Sequence, residues 1–251
     1  MATSLPNINE IMDVCLLAGK IMLENGAETY RVEDTMSRIA AGYGIKQSHS
    51  FVTPTGIIFS ADGSESTKLA RILERSTDLR KVTMVNSLSR QISSGEVPLA
   101  QARHQLKMLE TARLAYPAFL KVTAAAIASG CFLIMFQGQW RDFLPAFIAG
   151  GVGYFCAVNL DRFVRVKFFS ESLAAFVIGL LALIFVSLEI GLEMDKIIIG
   201  SVMPLVPGLL ITNAVRDLMA GHLVSGLSKG AEAFLTAFAI GTGIAVVFSF
   251  L

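Results

Sequence analysis

Ser172-Leu-Ala-Ala-Phe-Val-Ile-Gly-Leu-Leu-Ala-Leu-Ile-Phe-Val-Ser-Leu-Glu-Ile190 carries a single charged side chain, Glu189, at its far end. As a helix rising 1.5 Å per residue, a run of this length reaches the ~30 Å thickness of a bilayer's hydrocarbon core. No water is available there to satisfy backbone polar groups, so the stretch reads as a membrane-spanning helix. Four further stretches have the same character: about Ala118–Phe136, Phe143–Leu160, Ile197–Thr212 and Ala231–Leu251. Pro117 suits the first turn of the first of them, where its missing N–H costs nothing. The fourth is short and interrupted by Pro204 and Pro207.

Charge is distributed to match. Of the 41 charged residues, 25 lie in the first 117 positions, although hydrophobic residues make up 53% of the whole chain. The rest cluster in the gaps between apolar runs. Arg113 and Lys121 flank the start of the first span. The first gap has Arg141, the second Arg162, Arg165 and Lys167, the third Lys196 among three acids, and the fourth Arg216 and Lys229. Positive charge marks cytosolic loops. The expected arrangement is therefore a multi-pass protein of the cell (inner) membrane, with its N-terminus cytosolic and its C-terminus outside. Small residues at Ala146, Gly150, Gly151 and Gly153, and at Gly241 and Gly243, allow close helix contacts.

Residues 1–115 read differently. Apolar residues at helical spacing predict helices over about Asn9–Glu24 and Glu28–Ala41, separated by Asn25-Gly26. Ser50–Ser60 is rich in β-branched and aromatic residues and reads as a strand, with Pro54 and Gly56 marking an edge or bulge. A turn at Ala61–Ser66 leads to a return strand at Thr67–Leu73. Ser76 or Thr77 is placed to cap a helix over Asp78–Ser93, and Pro98 starts a fourth helix. The fold class is thus a membrane protein: a small cytosolic α+β domain over 1–115, then a five-helix α-helical transmembrane bundle over 116–251.

Several chemistries find no support. The net charge of +1 offers no polybasic surface for nucleic acid. Cys15, Cys131 and Cys156 are odd in number and widely spaced, which argues against a disulfide or zinc site. The start, MATSLPNINE, lacks the basic and apolar regions of a cleaved signal peptide. No P-loop, dinucleotide fingerprint or ordered catalytic triad is present, and His49, His104 and His222 are not at ligand spacing. No metal or cofactor and no catalytic residue is expected.

The polar residues of interest fall in two places. Pro204, Pro207 and Gly208 break the fourth span, and broken membrane helices expose backbone groups and helix ends to a substrate. Asn213 and Asp217 then share a helix face at i, i+4, with Arg216 adjacent. Arg216 suits an anionic carboxylate, or else snorkels as an interfacial anchor paired with Asp217. Glu232, inside the fifth span, is costly in lipid and must face protein or water, with Arg216 or Lys229 as candidate partners. His222 is of a type that titrates near neutrality and can relay protons, but the favoured reading is a solvated loop residue. In the soluble half, Asn25, Gly26, Glu28, Arg31, Glu33 and Asp34 form a dense polar corner, and Thr53, Pro54, Thr55 and Gly56 offer hydroxyls and a permissive backbone.

These motifs are recognisable together. Asn25-Gly-Ala-Glu-Thr-Tyr-Arg-Val-Glu-Asp-Thr35, Phe51-Val-Thr-Pro-Thr-Gly-Ile57, Pro207-Gly-Leu and Asn213…Arg216-Asp217…Gly221…Gly226-Leu resemble the threonine/serine exporter family (ThrE-like) in order and spacing along the whole chain. The length resembles that of its stand-alone N-terminal half, the YjjP-like type. The resemblance implies a transporter rather than an enzyme, exporting small amino acids such as threonine and serine or dicarboxylates such as succinate. It further implies coupling to the proton gradient and a second, shorter membrane subunit; a homo-oligomer is the other assembly expected. Two other classes stand beside it: a membrane-anchored enzyme with a hydrolase-like pocket built from Asn25–Thr35 and Thr53–Gly56, and a regulatory module in which the cytosolic domain gates the membrane part.

Overall fold

The computed structural model describes residues 7–62, 67–112, 114–164 and 168–249, with side chains 161–164 left aside. Arg113, Arg165, Lys167, the side chains of Asp161 and Arg162, and positions 63–66 of the expected turn lie outside the described residues. The chain forms two compact units. One joins Met1–Ala115 to Leu209–Gly230; the other joins Tyr116–Gly208 to Ala231–Leu251.

The first unit is α+β. Helices α1 (Ile8–Glu24) and α2 (Thr29–Gly42) precede strands β1 (Ser48–Thr53), β2 (Gly56–Ala61) and β3 (Lys68–Arg71), which form one antiparallel sheet in the order β1-β2-β3. Helices α3 (Leu79–Ser93) and α4 (Leu99–Thr111) follow. Alternation sends Ile57, Phe59 and Ala61 of β2 into a core shared with Met12, Cys15 and Met22 of α1 and Met36 and Ile39 of α2. Burial pushes the Cys15 thiol up to about 12, so it behaves as a small apolar residue.

The expected strand Ser50–Ser60 is in fact two strands. Pro54 and Thr55 form the turn between β1 and β2, with Thr53 opposite Gly56. A proline has no N–H to give to a ladder, so the chain reverses there instead of bulging. The α3 cap also differs from expectation: Asp78 accepts from the Arg80 N–H at 3.1 Å, whereas Ser76 donates to the Glu24 carbonyl and to Asn25 Oδ1, each at 3.4 Å.

The second unit contains α5 (Ala118–Met135), α6 (Phe143–Val164), α7 (Phe169–Ser187), α8 (Met194–Val202) and the later part of α10 (Leu223–Phe248). Leu133, Ala146, Ala175, Ile178, Ala182 and Ile240 are buried at its centre. Asp142, fully buried, accepts from the Leu192 and Glu193 N–H groups at 2.6 and 3.2 Å and so satisfies the entrance to α8.

Among the described residues, four helices are long and apolar enough to cross a membrane, and a broken pair makes a fifth candidate. Two expected boundaries move. The span placed at Ile197–Thr212 is α8, a 3-10 turn at Met203–Leu205 and, after Val206-Pro207, a separate helix α9 (Gly208–Met219). Val206 is extended, as the residue before a proline tends to be. The span placed at Ala231–Leu251 begins eight residues earlier, at Leu223, because Ser225 and Lys229 continue the helix on a polar face.

Candidate functional site

α9 and the first turns of α10 form a hairpin within the first unit. Gly221, at φ +86°, makes the reversal, and the His222 N–H donates to the Asp217 carbonyl at 2.8 Å. The two helices approach closely: a Cβ on Gly226 would lie 2.5 Å from Leu218 Cγ and 3.0 Å from the Ala214 carbonyl oxygen. One face of each helix is polar. Asn213 and Asp217 on α9 are buried at i, i+4, as are Ser225 and Lys229 on α10.

These faces meet the corner between α1 and α2. Asp217, fully buried, accepts from the Thr29 N–H at 2.9 Å, from Thr29 Oγ1 at 2.8 Å and from Lys229 Nζ at 2.7 Å. Lys229 Nζ also donates to Thr29 Oγ1 at 3.3 Å, closing the triangle. Glu28 occupies the N-cap position of α2 but makes no capping bond with its side chain. Asp217 supplies that acceptor instead, and its charge favours the positive end of the helix.

Glu28 is turned toward arginines. Its Oε1 is salt-bridged to Arg216 Nη1, and its Oε2 lies 2.9 Å from Arg31 Nε. That second contact has ion-pair distance without hydrogen-bond direction, and Arg31 Nε is otherwise without an acceptor. Asn213 Nδ2 donates to the Gly26 carbonyl at 2.9 Å. Gly26 sits at φ +92°, which favours glycine, so the turn presents its carbonyl to α9 without strain.

The β1–β2 hairpin joins the same cluster through its backbone. The Val52 N–H donates to Glu33 Oε1 at 3.1 Å, and the Val52 carbonyl accepts from Ser225 Oγ at 3.0 Å. His222 Nδ1 is 3.9 Å from Glu33 Oε1. Burial raises the Glu33 carboxyl above its ordinary range and Asp217 adds to the rise, while His222 and the Val52 N–H oppose it. Thr53 Oγ1 donates to the Gly56 carbonyl at 3.1 Å, Pro54 is buried and Thr55 exposed, so these residues shape the turn.

The two groups of residues singled out in the sequence therefore converge in part. Gly26, Glu28, Arg31 and Glu33 lie with Asn213, Arg216 and Asp217. Asn25 holds the end of α1, donating to the Ile21 carbonyl at 2.6 Å. Asp34 is ion-paired with Arg38 on α2. Pro204, Pro207, Gly208 and Glu232 count with the second unit. The pairing expected of Asp217 with Arg216 is replaced: Arg216 takes Glu28, and Asp217 takes Lys229. His222 lies in the loop before α10 with its side chain partly exposed.

Ser225 is not among the residues named from the sequence; Thr29 enters there only within the Asn25–Thr35 motif, and Lys229 only as a loop charge and a candidate partner of Glu232. A lysine four residues after a serine, at the start of a long apolar run, was the available signal. Among the described residues, no group of three His, Cys, Asp or Glu side chains could hold a metal ion.

Residues 13–251 match the family model described as "Putative threonine/serine exporter". A "Probable threonine/serine exporter" of Mycobacterium tuberculosis is 25% identical over 91% of this chain. The match spans only 44% of that longer relative. A "Probable succinate transporter subunit YjjP" of Klebsiella aerogenes is 25% identical over 92% of this chain and 90% of its own length. The protein of that description from Escherichia coli is 24% identical over 92% and 91%. No solved structure matches.

Proposed function

The chain belongs to the threonine/serine exporter family, and on that premise we propose that it is one subunit of a secondary exporter carrying small amino acids or small dicarboxylates out of the cytosol. The observation that carries this reading is the set of charged side chains at the α9–α10 hairpin. Charged groups gathered where a membrane helix begins can attract and orient a charged solute. Here Asp217 and Lys229 hold the hairpin together, while Arg216 keeps its side chain 53% exposed and can reach a carboxylate.

The break at Pro204, Pro207 and Gly208 is the proposed moving element, because the chain changes direction there without a continuous helical ladder. A second membrane subunit is proposed from the subunit names of two relatives and from the greater length of the third. The proposed topology has residues 1–115 in the cytosol. Residues 209–230 pack in the same unit, so α10 starts on that side and its C-terminus ends outside.

The test is efflux of threonine, serine and succinate from vesicles, with and without the partner subunit. Arg216→Ala lowers efflux on this reading while insertion is retained. Normal efflux by an inserted Arg216→Ala protein removes Arg216 from the path. A gating role for the cytosolic domain is a second reading. It is favoured by α10 itself, a single helix whose first eight residues belong to that domain's compact unit. Asn213→Ala, which loosens the attachment without altering charge, then changes efflux rate at equal expression. An unchanged rate speaks against gating.

A further inference from the structure

We propose that Glu28 is an internal stand-in for a ligand carboxylate, and that Arg31 and Arg216 form a site for a small dicarboxylate that displaces it. This rests on the exporter reading and narrows its substrate class.

The polar contacts of the Glu28 carboxylate are with guanidinium groups. They are Arg216 Nη1, Arg31 Nε at 2.9 Å and Arg31 Nη2 at 3.5 Å. It stands at the N-cap position of α2 without capping it, and Asp217 accepts from the Thr29 N–H there. Turning Glu28 away therefore leaves the helix end satisfied. Asp217 and Lys229 neutralise each other, and Glu33 is engaged by the Val52 N–H and faces His222. What remains is two guanidiniums that share one carboxylate, Glu28.

The arginines are also the accessible members. The Arg216 side chain is 53% exposed and Arg31 39%, whereas Glu28 is 9%. An incoming anion thus meets the cations first. Arg31 Nε, lacking a directed acceptor, gains one if a carboxylate approaches at a better angle than Glu28 allows. Planar guanidinium forks suit carboxylates in paired geometry. A dicarboxylate brings two negative charges to the two arginines. A zwitterionic amino acid brings one, together with an ammonium that both arginines repel.

A competing internal carboxylate lowers apparent affinity by the fraction of time it occupies the site. Removing its charge must then tighten binding. The experiment is calorimetric titration of the full chain in detergent with sodium succinate, and in parallel with threonine, at constant ionic strength. Glu28→Gln is expected to bind succinate about tenfold more tightly, and Arg31→Gln at least about tenfold more weakly. Threonine is expected not to gain from Glu28→Gln. Weaker succinate binding by Glu28→Gln overturns the proposal, as does indifference to both substitutions or absence of succinate binding in all forms. If Glu28→Gln is not monodisperse, Arg31→Gln and a charge-retaining Arg31→Lys carry the test, the lysine recovering part of the loss. Vesicle efflux that persists while binding ignores Glu28 and Arg31 defeats this site alone, whereas absence of efflux with every substrate defeats the exporter reading.

Discussion

Asp217 has more obligations than any other side chain in the α9–α10 hairpin. It accepts three hydrogen bonds, caps a helix from a distance in sequence of 188 residues, and neutralises a buried lysine. Asp217→Ala leaves the Lys229 ammonium buried with only Thr29 Oγ1 as a partner. Breaking a buried pair from one side costs about 3–5 kcal/mol. Thr29→Val keeps the backbone bond and loses only the hydroxyl's bonds to two charged groups, so it should cost less, about 1.5–3 kcal/mol. Thermal unfolding of the full chain in detergent ranks the two, and equal melting temperatures would refute the ranking.

Glu33 gives a pH signature of opposite sense to a salt-bridged acid. Its folded carboxyl is raised mainly by burial, so the folded state binds the proton better than the unfolded chain. Its contribution to stability is complete below the ordinary glutamate value of about 4.3 and is lost as pH rises through the higher folded value. Glu33→Gln should therefore flatten that part of the melting-temperature profile. Parallel profiles for the two proteins would remove Glu33 as its source.

At the scale of elements, glycines separate contact from composition. Gly243 of α10 faces the backbone of α7: an added Cβ would lie 2.1 Å from the Ser172 carbonyl oxygen and 3.0 Å from the Phe176 nitrogen. Neither atom can rotate away, so Gly243→Ala forces the helices apart at a cost of about 1–3 kcal/mol or more. Gly241, two residues earlier, meets nothing within 4 Å, and alanine there should be neutral within about 1 kcal/mol. Size-exclusion profiles after heating distinguish the two variants, and equal losses would contradict the packing assigned to Gly243. The sequence motif Gly241-Thr-Gly243 shows small residues in both positions. Only the three-dimensional neighbour tells which one is in contact.

The same distinction explains what was legible elsewhere. Helical periodicity located α1 to α4 within a residue or two, and hydropathy located α5, α6 and α7, because both signals are local. The i, i+4 pairing of Asn213 with Asp217 was also local and visible. Their partners, Gly26 and Thr29, lie nearly the whole chain away, and no spacing rule connects them. Lys229 was assigned to a gap between spans because a lysine interrupts an apolar window. In the fold it is the interior counter-charge that lets the helix start early.

For the whole molecule, the consequential fact is that the first compact unit is discontinuous in sequence. Residues 7–115 supply the core, the sheet and the N-terminus of α2, whereas residues 209–230 supply the acceptor for that terminus and the donors to Gly26 and Val52. A fragment of residues 1–115 must therefore leave the Thr29 N–H and the Val52 carbonyl to water, and leave Glu28 with Arg31 alone. It also exposes the apolar surface that α9 covers, such as Gly26 beneath Leu209. Joining residues 209–230 to that fragment through a flexible linker restores each of these contacts within one chain. The linked form should melt at a higher temperature and resist limited proteolysis longer than residues 1–115 alone. Asp217→Ala in the linked form should return it most of the way to the shorter fragment, because the gain passes through that carboxylate. Equal protease half-lives for the two fragments would mean that residues 1–115 hold their fold without the hairpin, and that the polar cluster serves something other than assembly of this unit.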